Sequence, residues 1–179
     1  MQELPPEFVA KMFLGIERVG GVRPQDAYSI RESQLLPGQW GVFANVDIPN
    51  RHIIGKYRGQ VSKTLGRHNE ASNYLFNTSS GRYVDGDYLR WPSKCNIISL
   101  INGVPEDHIE RSNALFLDEG EVRAHTHGRG PIKAGSEIIL CYGDEYFEAF
   151  DEIVLPPTPK KETRSAGRKK PKRHGHGRR

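Results

Sequence analysis

The residues whose types could do chemistry are concentrated in one stretch, residues 96–146. NIISLIN carries two asparagines, SNALF carries another, and PIKAGSEIILCYGDEY ends a strand-like run with Tyr142. Asparagine amides can hydrogen-bond a bound molecule, and a tyrosine hydroxyl can orient a reacting group. These segments could contribute to one enclosed site, which is typical of an enzyme that depends on a small molecule.

Histidine and cysteine offer weaker candidates. His125 and His127 alternate on a strand-like segment, but the sequence offers no further ligands that would complete a metal site. Cys95 and Cys141 are too few for a disulfide framework and lack the spacing of a zinc site. We therefore expect no bound metal and two buried, reduced thiols.

The elements that must position these residues are mostly short strands. Turn residues separate seven β-rich runs: WGVFANV, HIIGKYRG, NYLFN, RYVDG, SNALFL, EVRAH and EIILCY. PPEFVAKMF at residues 5–13 predicts a short amphipathic helix that is over by Gly20 and Gly21, and DEYFEAFDEI from Asp144 predicts a second helix. The fold class is therefore mostly β with short helices.

Charge divides the chain into two parts. Residues 160–179 hold ten lysines or arginines and one acid, Glu162, so they carry +9 while the whole chain carries +4. The first 159 residues consequently carry −5. A basic segment without aromatic residues buries too little apolar surface to fold alone, so we predict a disordered tail at residues 151–179. Its GRKKPKR run suits a nuclear-import signal or an arm that attracts nucleic acid.

The length of the chain favours one domain before the predicted tail, and its hydropathy gives no sign of a membrane span. A chain of 179 residues fits a single core of ordinary size with a tail. The first twenty residues contain three glutamates and no continuous apolar run, and no segment has the ~20 apolar residues of a membrane span. We therefore expect a soluble, intracellular protein without membrane contact.

Six segments in order carry a resemblance to a known family. They are GQWGVFA at 38–44, YRG at 57–59, NYLF at 73–76 with YVD at 83–85, NIISLIN at 96–102, SN at 112–113, and IKAGSEI at 132–138 with CYG at 141–143. Together they resemble the SET domain of protein lysine methyltransferases. The resemblance implies a SET domain at residues 35–150, with several small sheets and a knot-like C-terminal segment, after an N-terminal flank at residues 1–34 that holds a short helix.

The resemblance implies a methyl transfer from S-adenosyl-L-methionine to a protein lysine in the nucleus. The implied substrate is a histone tail or another basic protein, which the acidic balance of residues 1–159 suits. Residues 160–179 could contact nucleic acid or nucleosomes. The family pattern has Arg, His and Gly where this chain has Ser99, Gly103 and Cys95. Two alternatives stay open: a SET-like scaffold or binding module with little or no activity, and a chain whose tail binds nucleic acid by charge alone.

The resemblance also assigns roles to residues of the cofactor site. The backbone around Gln39 and Trp40 would hold the methionine end, and Tyr74 would pack nearby. Asn102 would hydrogen-bond the cofactor through its side chain, and Gly103 would contribute backbone contacts. On the C-terminal helix, Tyr146 and Phe147 are candidates to cover the adenine.

The acceptor lysine needs a water-poor channel, because only the neutral amine is a nucleophile and its unperturbed pKa is about 10.4. Tyr57 and Phe116 are the predicted aromatic walls. Leu140 precedes Tyr142 by two residues, so strand alternation predicts that both face the same side. Tyr142 is the predicted catalytic residue, whose hydroxyl orients the amine.

Overall fold

The computed structural model describes residues 2–65 and 72–142. Within these ranges the helices are α1 Pro6–Lys11 and α2 Pro24–Ala27, with short 3-10 turns at Ile97–Leu100, Glu106–Arg111 and Asp118–Gly120. The strands are β1 Tyr28–Glu32, β2 Trp40–Ala44, β3 Ile53–Lys56, β4 Gln60–Ser62, β5 Leu75–Asn77, β6 Tyr83–Asp85, β7 Asn102–Val104, β8 Ala114–Phe116, β9 Glu121–Ala124 and β10 Ile139–Cys141. The prediction of a mostly β fold with short helices is confirmed.

The described strands form three small sheets. β1 and β2 make an antiparallel hairpin, and the order of the five-stranded sheet is β3-β9-β8-β10-β7. The third sheet has the order β4-β6-β5. β10, the last described strand, lies between β7 and β8 and runs parallel to both. Its register places Leu140 beside Gly103 and Ala114, so the segment that carries Tyr142 is inserted between two earlier strands.

All seven predicted β-rich runs contain a strand, whereas β1, β4 and β7 were not predicted. β7 reads Asn-Gly-Val, and neither asparagine nor glycine favours a strand. The predicted helix in residues 5–13 is α1, but it already ends at Lys11, and the Gly20–Gly21 pair instead makes the turn that joins Val19 to Val22. The helix predicted from Asp144, the rest of the knot-like segment and the predicted tail lie outside the described residues.

The core includes residues that precede the expected domain boundary at residue 35. Phe8 from α1 has an exposed fraction of 0% and Tyr28 from β1 has one of 1%. β1 pairs along its whole length with β2, from Tyr28 opposite Ala44 to Glu32 opposite Trp40. The N-terminal segment is therefore packed into the same core as the strands of residues 35–142.

Candidate active site

A cleft of about 1040 Å³ lies between the turn before β2, strands β5, β7 and β8, and the end of β10. Eight predicted site residues border it: Gln39, Trp40, Tyr57, Tyr74, Asn102, Gly103, Phe116 and Tyr142. Tyr146 and Phe147 lie outside the described residues. The fold therefore brings together residues from six separate parts of the sequence.

Tyr142 is fixed at the cleft by its backbone and by its hydroxyl. Its N–H donates to the carbonyl of Val104 at 3.0 Å, which continues the β10–β7 pairing by one residue. Its hydroxyl donates to the carbonyl of Ile101 at 2.5 Å. A Cβ atom built on Gly103 would lie 2.3 Å from the Tyr142 ring, so this ring position requires glycine at residue 103.

The structure corrects the place predicted for Leu140. Its exposed fraction is 0%, and it belongs to the hydrophobic core between Gly103 and Ala114 rather than to a channel wall. Leu140 lies inside β10 and is packed in the core, whereas Tyr142 follows Cys141, the final residue of β10, and its ring lies against Gly103 at the cleft. Cys141, the neighbour of both residues, borders the cleft instead.

Three aromatic rings form one wall of the cleft. The ring centroids of Tyr57 and Phe116 are 5.5 Å apart, those of Phe76 and Phe116 are 4.5 Å apart, and those of Tyr57 and Phe76 are 6.2 Å apart. The Tyr57 hydroxyl donates to the carbonyl of Tyr74 at 2.6 Å, which fixes its ring. Phe76 was missed from the sequence, although it follows Tyr74 by two residues and strand alternation could have indicated it.

The N-terminal segment also reaches the cleft, which the sequence did not indicate. Gln2 borders the cleft, and its carbonyl accepts a hydrogen bond from Trp40 Nε1 at 2.9 Å. The carbonyl of Trp40 accepts a hydrogen bond from Asn102 Nδ2 at 2.9 Å. Trp40 is thus held on one side by the start of the chain and on the other by β7.

Glu137 is a buried carboxylate that joins the turn before β2 to β7. Its exposed fraction is 5%, and its Oε1 accepts hydrogen bonds from Ser33 Oγ at 2.6 Å and Asn102 Nδ2 at 3.2 Å. Its Oε2 accepts the backbone N–H groups of Gln34 at 2.7 Å and Leu35 at 3.1 Å. The sequence did not single out this residue, because a glutamate is ordinarily exposed.

The amide of Asn102 is therefore engaged by the protein itself. Both of its described donor contacts go to Trp40 and Glu137, so the hydrogen bond to a cofactor that the sequence predicts would fall to Oδ1. Asn113 acts similarly on β10: its Nδ2 donates to the carbonyl of Glu137 at 2.8 Å and its Oδ1 accepts the N–H of Ile139 at 2.9 Å. These two asparagines position the strands that border the cleft.

The charged side chains that border the described part of the cleft are acidic. Glu106 and Asp118 border it, and no lysine, arginine or histidine is among the described residues that do so. In the core, burial raises the pKa of the Cys95 thiol to about 12, so this thiol stays protonated at neutral pH. Burial also raises the pKa of Tyr88, whose side chain borders the cleft.

His125 and His127 pack against each other, with ring centroids 4.7 Å apart. Residues 2–65 and 72–142 contain no group of three or more His, Cys, Asp or Glu side chains suited to a metal ion. In the same ranges no helix has the length and apolar character needed to cross a membrane.

Comparison with known proteins identifies a family. The family model described as SET domain matches residues 39–143, more than half of the chain. No curated protein matches the sequence. Among solved structures, the chain is similar to the methyltransferase domain of human PR domain-containing protein 2, with a TM-score of 0.55 and 19% identity over 77% of this chain and 83% of that one. This likeness shows the fold.

Two further structures have lower scores. One is ATXR5 in complex with mono-methylated histone H3.1, with a TM-score of 0.48 and 15% identity over 71% of this chain and 59% of that one. The other is an active polycomb repressive complex 2 in the stimulated state, with a TM-score of 0.48 and 21% identity over 73% of this chain and 16% of that one.

Proposed function

Because the chain belongs to the SET-domain family, we propose that it is an S-adenosyl-L-methionine-dependent protein lysine N-methyltransferase. The observation that carries this proposal is the convergence of Tyr142 with an aromatic wall at one cleft. The hydroxyl of Tyr142 is fixed against a backbone carbonyl, and the cleft beside it contains no described cationic side chain. The catalytic role of Tyr142 rests on this geometry and on the family.

The cleft fits the proposed cofactor. Gly38, in the turn before β2, is exposed and has a φ of 87°, so a bound molecule can approach the main chain closely there, and Gly103 borders the cleft beneath the Tyr142 ring. Gln39 and Trp40 would hold the methionine end, and Tyr74, Asn102 and Gly103 would contact the remainder. When bound, S-adenosyl-L-methionine supplies a methyl group on a positively charged sulfur.

The residues of the chain prepare the acceptor lysine. Tyr57, Phe76 and Phe116 exclude water from one side of the cleft, and desolvation lowers the pKa of an amine toward neutrality. Tyr142 orients the neutral amine for an in-line transfer. Glu106 and Asp118, at the border of the cleft, attract the basic residues that surround the target lysine.

The proposed substrate is a histone tail or another basic protein, and the proposed location is the nucleus. The −5 charge of residues 1–159 supports a basic partner, and the +9 charge of residues 160–179 supports contact with nucleic acid or nucleosomes. We propose residues 35–150 as the SET domain, residues 1–34 as its N-terminal flank and residues 151–179 as the basic tail.

Labelled methyl transfer to histones and nucleosomes tests this proposal, with Tyr142→Phe as the variant. Tyr83→Phe is the matched control, because Tyr83 lies on β6 and does not border the cleft. We expect Tyr142→Phe to lower the transfer rate by about 10²-fold or more while calorimetry shows unchanged cofactor affinity, since misplacing the amine costs rate rather than binding. The control should keep the rate of the unmodified chain.

Two results would contradict the proposal in different ways. Undiminished transfer by Tyr142→Phe would refute the role of Tyr142 and leave the activity intact. A chain that binds no S-adenosyl-L-methionine and transfers no methyl group would instead favour the scaffold or binding module.

A further inference from the structure

A second pocket, of about 380 Å³, lies next to the cleft and shares Tyr57 with it. We call it the basic pocket, because Lys56, Arg58, Arg82 and Lys94 border it and Glu119 is the one acid that the described residues place there. The four cations come from three separate segments of the chain. Their meeting at one opening is therefore a property of the fold and was not visible in the sequence.

Glu119 offsets only one of the four cations. Its carboxylate accepts hydrogen bonds from Ser79 Oγ at 2.9 Å and from the backbone N–H of Ser80 at 2.9 Å, and Arg82 Nη2 lies 3.5 Å from it. The Ser80 hydroxyl also donates to this carboxylate, at 3.1 Å, and this hydrogen bond together with the other contacts holds the pKa of Glu119 below its ordinary value. Glu119 and Arg82 thus form a local pair, and the pocket keeps a surplus of three positive charges.

The other three cations are exposed and form no ion pair with a carboxylate in the described part of the chain. Lys56 lies opposite Glu121 across the β3–β9 pair, but Glu121 is engaged with Arg123 at 2.7 Å. Lys94 donates to the side chain of Gln60, and its Nζ lies 5.1 Å from the Trp91 ring centroid. These contacts hold Lys94 at the pocket while its charge stays available.

We propose that the basic pocket binds the phosphate backbone of duplex nucleic acid. Lys56, Arg58 and Lys94 supply the charge, and the hydroxyl of Ser93, which also borders the pocket, supplies a donor. The surplus occurs in a region, residues 1–159, that carries −5 overall, so it is a local concentration rather than part of a general basic surface.

The two basic elements of the chain favour a long polyanion over a short acidic peptide. Duplex nucleic acid carries one charge per about 1.7 Å of its axis, so one duplex offers enough phosphates for the three cations of the basic pocket and for the ten of residues 160–179. The proposal is independent of methyl transfer, because none of the three cations borders the cleft.

Fluorescence anisotropy of the full chain with a labelled duplex, measured over a range of salt concentrations, tests the proposal. The variant is Lys56→Gln, Arg58→Gln and Lys94→Gln combined. The matched control combines Lys11→Gln, Arg51→Gln and Arg129→Gln, which removes the same charge from exposed positions outside the pocket. Thermal unfolding of both variants verifies that they fold.

We expect the pocket variant to bind the duplex at least about tenfold more weakly than the unmodified chain at low salt. The slope of log affinity against log salt should become shallower by about 2 to 3, since each lost phosphate contact contributes roughly 0.9. The slope measured for the control should differ from that of the unmodified chain by no more than about 0.9, the contribution of one phosphate contact.

Each other outcome overturns the proposal. Equal weakening in both variants would mean that total charge alone decides binding, and no weakening in the pocket variant would assign all binding to the tail. Displacement of the duplex by polyglutamate at an equal concentration of charges would indicate an acidic protein partner. Displacement by inorganic phosphate at micromolar concentration would indicate a site for a free anion.

Discussion

At the scale of the residue, the position of Tyr142 depends on the absence of a side chain at Gly103. The resembled family pattern has a histidine there, and the sequence alone left open whether the change weakens the site. The structure gives a physical reason for glycine, because the Tyr142 ring fills the space that a Cβ atom would need. The two residues therefore form one steric unit, so the effect of replacing one of them depends on the side chain of the other.

Replacing Gly103 with alanine should disrupt this unit. A Cβ atom 2.3 Å from the ring forces Tyr142 to move, so we expect methyl transfer to fall by about 10²-fold and stability to fall by about 1–3 kcal/mol. Urea unfolding measures the second quantity. In a Tyr142→Ala background the same replacement should cost less stability, because the ring is gone. An equal cost in both backgrounds would contradict the steric explanation.

At the scale of the element, the cleft is held together by contacts between strands that are far apart in sequence. Glu137 connects the turn after β1 to β7, and Asn113 connects β8 to β10. Gly41 belongs to the same arrangement, since a Cβ atom there would lie 2.5 Å from Glu137 Oε1. The buried carboxylate of Glu137 and the amide of Asn113 thus connect the strands that border the cleft.

Glu137→Gln should weaken this connection while keeping the shape of the side chain. One end of the amide becomes a donor and faces groups that are themselves donors, so we expect a loss of about 1–3 kcal/mol in the free energy of unfolding. Cofactor affinity, measured by calorimetry, should fall as well, because the turn before β2 is released. Glu7→Gln on the exposed side of α1 is the control. Unchanged stability would show that the carboxylate is dispensable.

The sequence predicted local features of these elements and missed the long-range ones. Runs such as WGVFANV and EVRAH reveal strands because their residue types favour the pleated backbone. β7 was not predicted, because asparagine and glycine do not favour a strand. Asn102 and Gly103 instead contact Trp40 and Tyr142, and these contacts form only in the folded chain. Leu140 was assigned to the cleft by alternation, but it packs in the core between β7 and β8, a burial that depends on the sheet order and not on the local sequence.

At the scale of the whole molecule, the N-terminal segment and the later strands share one core. The family match begins at residue 39, yet Phe8 and Tyr28 are buried and β1 pairs with β2. The motifs from residue 38 onward predicted the family and eight of the residues at the cleft. The sequence of the first 34 residues did not predict the hydrogen bond between Gln2 and Trp40. This contact joins residues that are far apart in sequence, and only the folded chain brings them together.

Removing residues 1–34 should therefore prevent cooperative folding. The truncation deletes α1, α2 and β1 and leaves β2 without its partner, so we expect no thermal unfolding transition by circular dichroism. Removing residues 160–179 is the matched control and should leave the unfolding midpoint unchanged. A folded, cooperative chain without residues 1–34 would show that this segment is an accessory.

The insertion of β10 between β7 and β8 also determines when the site can exist during synthesis. Before residues 139–142 leave the ribosome, the sheet lacks its fourth strand in spatial order and Tyr142 is missing from the cleft. Domains generally fold as units while the chain is made, and distant pairings form late. A nascent chain that stops short of β10 therefore cannot hold the cleft in its final form, and the described part of the site is complete only after β10 has entered the sheet.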